Sequence, residues 1–368
     1  MTFNKKLLAG LVVLAAASTS AQSATLVSEG GWEVKVGGLI NQFATFTDAK
    51  GTDDVANLED GLLPSFLNFD FKAPTMNGLD LAAHISFSPS TSVDSYSGIE
   101  QREVYFTVDG SFGQVLAGKA LGLYSSHNIL TDQTLYGVGY GAGRSAAENN
   151  TTLGGIGLGY DYASWRSQVK WTSPDMNGFK VAVAIMDPSA GITNALAGVS
   201  GGASGTLVTG GVDSDNFRYE GDLSYAGTFD GGSFTAWLSA MTQGEDNAGN
   251  NDAQAWTVGG TLAVAGFEFM GQYSDSENED VAVETEWDQF LVQAGYRFAG
   301  TTLVSAQYAE LDTDVKGAAS YDESEKWTVG VYHDVNSNLK LVAEYTNVEN
   351  DDQNIDTDIF SIGGFMFF

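Results

Sequence analysis

GSFGQVLAGKALGLYSSHNILTDQTLYGVGYGAGRSAAENNTTLGGIGLGYDYASWRSQVKWTSP, Gly110 to Pro174, is the stretch on which the reading of this chain turns. A tight Gly-rich turn leads into a short strand, Gln114 to Lys119, and an alternating strand closes the stretch from Ser164 to Ser173. Between them lie over forty residues with few charges and many glycines. A loop of that length in a compact domain is functional or disordered. This one carries Leu121, Leu123, Ile129, Leu130, Leu135 and five tyrosines before Trp165, which is too apolar for a disordered linker. Such a loop is expected to fold inward against something hollow.

The bulk composition narrows what that hollow body is. The chain has 368 residues, no cysteine, 16 Lys+Arg against 47 Asp+Glu, and 45 glycines with only 5 prolines. Without cysteine there is neither a disulfide framework nor thiol chemistry. The acidity excludes nucleic acid as a partner, because phosphate contacts need clustered Lys and Arg. The first two dozen residues stand apart. Asn4-Lys5-Lys6 is a basic start, Leu7 to Ala17 an apolar run, and Thr19 to Ala24 a stretch of small residues. That is the pattern of a secretory signal peptide, assigned to 1–24 and leaving 25–368 as one domain. No later run is long enough for a transmembrane helix.

The body repeats a run of alternating residues, a tiny turn, another run and a longer polar loop. Leu79, Leu81, Ala83, Ile85 and Phe87 alternate with Asp80, Ala82, His84 and Ser86; Phe290, Val292, Ala294, Tyr296 and Phe298 alternate with Leu291, Gln293, Gly295 and Arg297. Period two gives one apolar face and one mostly polar face. Sixteen strands follow: 32–48, 62–73, 79–88, 100–109, 114–119, 164–173, 179–187, 216–227, 233–243, 253–264, 267–275, 285–298, 302–312, 324–334, 339–349 and 357–368. The connections alternate strictly between short turns and long loops. Short turns on one rim, long loops on the other and an even strand number are the pattern of an outer-membrane barrel, apolar side to lipid and polar side to the lumen. The expected fold is therefore all-β, a 16-stranded antiparallel transmembrane β-barrel with an inward-folded third loop at about 120–163. Aromatics such as Trp32, Phe179, Trp256, Tyr273, Phe298, Trp327 and Tyr345 recur near strand ends, as membrane-interface belts would require. The last strand ends on the bare aromatic Phe368 and is expected to pair with the first, so that no edge remains.

In these residues the chain resembles the general bacterial porins, the trimeric sixteen-stranded diffusion channels. REVYFTVDGSFGQVLAGK, 102–119, is similar to the porin segment in which an arginine-led strand passes a Phe-Gly turn into a strand ending Gly-Arg. The long loop follows at the porin position, VKWTSP at 169–174 is similar to a strand end of neisserial-type porins, and Phe368 matches the aromatic ending read in outer-membrane assembly. The resemblance implies a third loop that sets a constriction, with acidic groups facing a basic cluster. Carried over by position, the implied constriction and lumen charges are Arg102, Lys119, Asp132, Glu148, Arg166, Lys170 and Asp70, with Phe368 as assembly signal. Arg166 and Lys170 share a face with Gln168, so period two itself supports both facing the lumen. Arg102 shares its face with Val104 and Phe106, which look lipid-facing. Two departures stand out: Asn68 beside Asp70 replaces a wall arginine, and YGVGYGAG at 136–143 replaces a Pro-Glu-Phe-Gly-Gly signature. A weakly bipolar constriction follows.

The resemblance further implies a homotrimer, outer-membrane lipid, lipopolysaccharide and the barrel-assembly machinery as partners, and ions and small hydrophilic solutes as cargo. The charge balance adds a tilt toward cations. A substrate-specific channel with a solute site at the constriction is the alternative, for which Tyr124, Tyr136, Tyr140 and Tyr160 leave room. No enzymatic activity is expected: His84, His127 and His333 are scattered, with no metal spacing and no Ser/His constellation. No cofactor is expected either. The acid-rich segments DSENED, 275–280, and ENDDQNIDTD, 349–358, are read as solvated loops with room for weakly bound Ca²⁺ or Mg²⁺.

Overall fold

A computed structural model of the chain describes residues 23–91, 99–142, 151–188, 216–244, 252–279, 284–315, 321–351 and 354–368. Residues 1–22 of the leader expected at 1–24 lie outside the described residues, as does Glu148; Ser23 and Ala24 are described, and Ala24 begins a short strand. Sixteen antiparallel strands form one wall: β1 Trp32–Ala49, β2 Phe66–Lys72, β3 Asp80–Pro89, β4 Val104–Gly110, β5 Gly113–Leu121, β6 Trp165–Thr172, β7 Phe179–Met186, β8 Arg218–Phe229, β9 Gly232–Gln243, β10 Asp252–Val264, β11 Phe267–Glu279, β12 Glu284–Phe298, β13 Thr302–Val315, β14 Tyr321–Asn336, β15 Leu339–Asn350 and β16 Ile355–Phe367. Each pairs with its neighbours in sequence, and β16 closes on β1 from Thr357 opposite Ala49 to Phe367 opposite Leu39. The Phe368 amide donates to the Gly38 carbonyl at 3.0 Å and the Phe368 carbonyl accepts from the Gly38 amide at 2.8 Å, so the closure runs to the last residue. A closed sheet satisfies every ladder position within the wall, which is what a strand structure needs in lipid. Three short strands are added to the wall. Residues 24–29 fold back on the start of β1, 55–59 on its end, and 99–100 on the end of β3.

The short turns are built as the sequence demands. Asn77-Gly78 and Asn177-Gly178 both have positive φ at the two central positions, 55° with 77° and 61° with 95°. That is the geometry a two-residue hairpin needs to match strand twist, and it accounts for the repeated Met-Asn-Gly.

Alternation sorts the side chains as expected on the outside. Val169, Val183, Leu223, Val258 and Val329 point outward and are exposed. Aromatic pairs lie near both rims: Trp256–Tyr273, Trp327–Tyr345 and Phe46–Phe360 toward the long loops, Phe179–Tyr225 and Phe267–Tyr296 toward the short turns. Above the upper pairs the strands run on past their predicted ends. DSENED is strand to Glu279, and Asp356–Asp358 belong to β16, so these acids stand on the wall as well as in loops. There they oppose one another directly: Asp275 faces Asp288, Asp288 faces Asp312, and Glu310 faces Glu325, which faces Glu349.

The inside departs from a plain polar lining. Ser239, Thr257, Gln289, Thr328 and Ser361 are buried and inward, but so are Trp237, Met241, Met270, Leu291, Leu311, Tyr332, Val342 and Phe365. These apolar residues share one core with Ile129, Leu135, Val138, Leu153, Ile156, Leu158 and Tyr160 of the segment between β5 and β6. The inward apolar positions exist because they have a loop to pack against.

Candidate functional site

The segment from Gly122 to Ser164 contains a short helix, α1 Ser126–Thr131, and a 3₁₀ turn, Gln133–Tyr136. Buried polar groups fasten it to the inward side of β8–β15. Asp161 accepts from the Tyr124 hydroxyl at 2.6 Å, the Ser276 hydroxyl at 2.6 Å, the Trp287 indole N–H at 2.8 Å and the Gln289 amide at 2.7 Å. Burial pushes the Asp161 carboxyl up, against those four donors, which favour its charged form. Asp132 caps the 3₁₀ turn through the Thr134 amide at 2.8 Å, and accepts from the Tyr160 hydroxyl at 2.6 Å and the Gln307 amide at 2.7 Å. Glu220 accepts from the backbone amides of Leu123 and Tyr124 at 2.6 and 2.8 Å, and from Arg218 Nε at 2.6 Å. Glu344 takes the amides of Val138 and Gly139 at 2.7 and 3.0 Å and the Tyr332 hydroxyl at 2.6 Å. Asn128 bridges Thr257, Gln272 and the Trp237 indole within 3.0 Å. Glycine is required where the backbone meets these carboxylates: a Cβ on Gly137 would collide with the Glu344 carboxylate, which its three donors hold in place.

The other side of the segment is not sealed. A cavity of about 350 Å³ lies between it and β2–β6. The loop side presents Leu123, Ile129, Leu130, Leu153 and Ile156; the wall presents Asp70, His84, Glu103, Tyr105, Arg102 and Lys170, with Leu121 at the end of β5. His84 Nδ1 is 2.7 Å from Asp70 and its Nε2 3.3 Å from Glu103, and the imidazole stacks on Tyr105 with centroids 5.2 Å apart. Arg102 lies just before β4, where no strand periodicity dictates its face, and binds Glu100 at 2.7 Å.

The seven charges expected at the constriction therefore separate. Asp70, Arg102 and Lys170 line the cavity. Arg166 shares the inward face of β6 with Gln168 and Lys170, pairing with Ala120. Lys119 is a correction. It pairs with Val104 on one side and Ser167 on the other, and the outward face it shares carries Val169 and Phe106. Period two puts the neighbouring Ala120 inward, so Lys119 points out. Asp132 is a second correction: it is 3% exposed and spent on loop anchoring, so it presents no charge to the cavity. Glu148 lies outside the described residues. Glu103, Glu220, Glu344 and the buried Lys326 escaped the reading of the sequence. Their signal was present, since Glu344 is a charge on the polar phase of an alternating strand, but no motif marked it.

The sequence profile of the Gram-negative porins matches residues 9–353. The chain belongs to the Gram-negative porin family. It is an outer-membrane channel protein, and family and fold point to a channel rather than an enzyme. Among solved structures it is similar to the anion-selective porin of Comamonas acidovorans (16% identity, TM-score 0.66, 92% of this chain and 100% of that one covered). It is similar also to Salmonella typhi OmpF in complex with daunomycin (15%, 0.64, 94% and 100%) and to the trimer form of OmpT, an outer membrane protein of Vibrio cholerae (14%, 0.59, 92% and 100%). At these identities the likeness is one of fold. No curated protein sequence matches. None of the described helices is long and apolar enough to cross a membrane; this porin crosses with strands.

Proposed function

We propose that this porin is a restricted passive channel whose solutes pass between the inner loop and β2–β6. The observation that carries this reading is the asymmetry of the interior. The loop is bonded and packed onto β8–β15, while the cavity of about 350 Å³ lies on its other side. So small an opening favours a selective passage over a wide, unselective pore. Its lining mixes the acids Asp70 and Glu103 with the bases His84, Arg102 and Lys170, so the aperture itself gives little preference among small ions, and any cation preference arises at the acidic long-loop rim, where like charges enrich cations. Ca²⁺ or Mg²⁺ would gather there as part of that diffuse layer. A homotrimer embedded among outer-membrane lipid and lipopolysaccharide, assembled by machinery that reads Phe368, completes the proposal.

The test is a planar-bilayer recording under a KCl gradient. Small steps with a reversal potential near zero or slightly toward cations support the reading. Large conductance with strong selectivity of either sign rejects it.

A further inference from the structure

One cation on the cavity wall has no carboxylate of its own. Lys170 points inward from β6 beside Leu116 and Ala184, and among the described residues it makes no hydrogen bond or ion pair. Three acids act on it through space: Glu220, Glu103 and Asp222. Each is engaged elsewhere. Glu220 holds Arg218 and two loop amides, Glu103 lies against His84, and Asp222 is 3.2 Å from His127. Arg102, the other strong base that lines the cavity itself, already holds Glu100. The positive charge left over faces a loop surface made of Leu123, Ile129, Leu130, Leu153 and Ile156.

An ammonium is a point charge, suited to one small anionic head, and it lacks the planar fork that grips a phosphate or a pair of carboxylates. The Asp70–His84–Glu103 group on the facing strands carries two carboxylates to one imidazole, so a second negative charge on the solute meets repulsion there. The leucines and isoleucines offer nothing to a polar tail. We infer that this cavity binds organic monocarboxylates with a short hydrocarbon body, the carboxylate on Lys170 and the chain against the apolar face of the loop. At about 350 Å³ it sits at the small end of ligand pockets, roughly 300–1,000 Å³, and since a cavity of about 150 Å³ takes a benzene ring, a body the size of hexanoate fits with room to spare. The inference rests on the restricted-passage reading above.

The experiment has two readouts on the full chain in lipid. The first is block of K⁺ current by acetate, butanoate and hexanoate at fixed ionic strength, with hexylammonium and adipate alongside. Block should tighten about fourfold per methylene, the ratio that about 0.8 kcal/mol per buried CH₂ corresponds to. Hexylammonium and adipate should block at least tenfold more weakly than hexanoate. Lys170→Met should weaken hexanoate block at least tenfold, and Lys170→Arg should keep most of it. The second readout needs no current: 6-bromohexanoate should quench Trp165, which lines the cavity, and Trp165→Phe should remove that part of the quench. Quenching without current overturns the channel reading alone. Current with no chain-length dependence, or equal block by hexylammonium, or unchanged block in Lys170→Met, overturns the monocarboxylate inference.

Discussion

Replacing Asp161 by Ala tests how the loop is held. The carboxylate is fully buried and takes four donors from Tyr124, Ser276, Trp287 and Gln289. Without it the two hydroxyls can turn to each other, since Tyr124 and Ser276 already stand 3.1 Å apart. The Trp287 indole and the Gln289 amide have no such escape. Each buried donor left without a partner costs about 1–3 kcal/mol, so the two together cost roughly 2–6 kcal/mol. At tenfold per 1.4 kcal/mol, loop opening becomes roughly thirtyfold to twenty-thousand-fold more frequent. The cost falls on the loop, because Asp161 belongs to no strand and the ladders of β11 and β12 are untouched. Asp161→Ala should therefore keep a heat-modifiable barrel while segment 122–163 becomes protease-sensitive and single-channel current grows larger and noisier. Wild-type proteolysis and wild-type conductance in the variant would refute the claim that this carboxylate pins the loop.

Other expected outcomes follow from the same geometry. Charge reversal at Lys170 should move the reversal potential toward cations, whereas reversal at Lys119, on the outward face, should leave it unchanged; equal shifts would contradict the assignment of faces. Glu344→Ala should free the buried amides of Val138 and Gly139 and remove one of the two acids acting on Lys326, Asp132 being the other, loosening the loop by roughly 2–6 kcal/mol for the two stranded donors. The Glu344→Ala/Lys326→Ala double variant should cost less than the two singles added together, which loop proteolysis can measure. Directly opposed like charges destabilise a sheet. Raising KCl from low to physiological strength should thus raise the barrel's melting temperature, and Asp288→Asn should reduce that salt dependence.

The barrel was legible in the sequence because its signals are local. Alternation fixes which residues face out, as at Val169 and Trp171, and Asn77-Gly78 and Asn177-Gly178 fix two hairpins outright. The parity of short and long connections yields sixteen strands, and the structure has the same sixteen. What the sequence blurred is where strands end. Alternation continues through polar residues, so Ser276 to Glu279 reads as loop although it is paired. The interior was less legible, since loop contacts span over a hundred residues: Asp161 with Trp287, Glu344 with Val138. Nothing near Asp132 in sequence announces that Tyr160 and Gln307 will occupy its oxygens. Lys119 stands at a strand end where the family motif and the phase of its own neighbours disagree, and the phase decides its face.

The most direct test of a passage confined to one side of the loop uses the chain's lack of cysteine. A single cysteine is placed either at Lys170, on the open side, or at Ser274, which is inward-facing and fully buried on the sealed side. Each protein is exposed in a bilayer to a small charged methanethiosulfonate while current is recorded. Rapid modification and a fall in current are expected for Lys170→Cys, and no reaction for Ser274→Cys. Equal reaction at both positions, or reaction at Ser274→Cys alone, would contradict a one-sided passage.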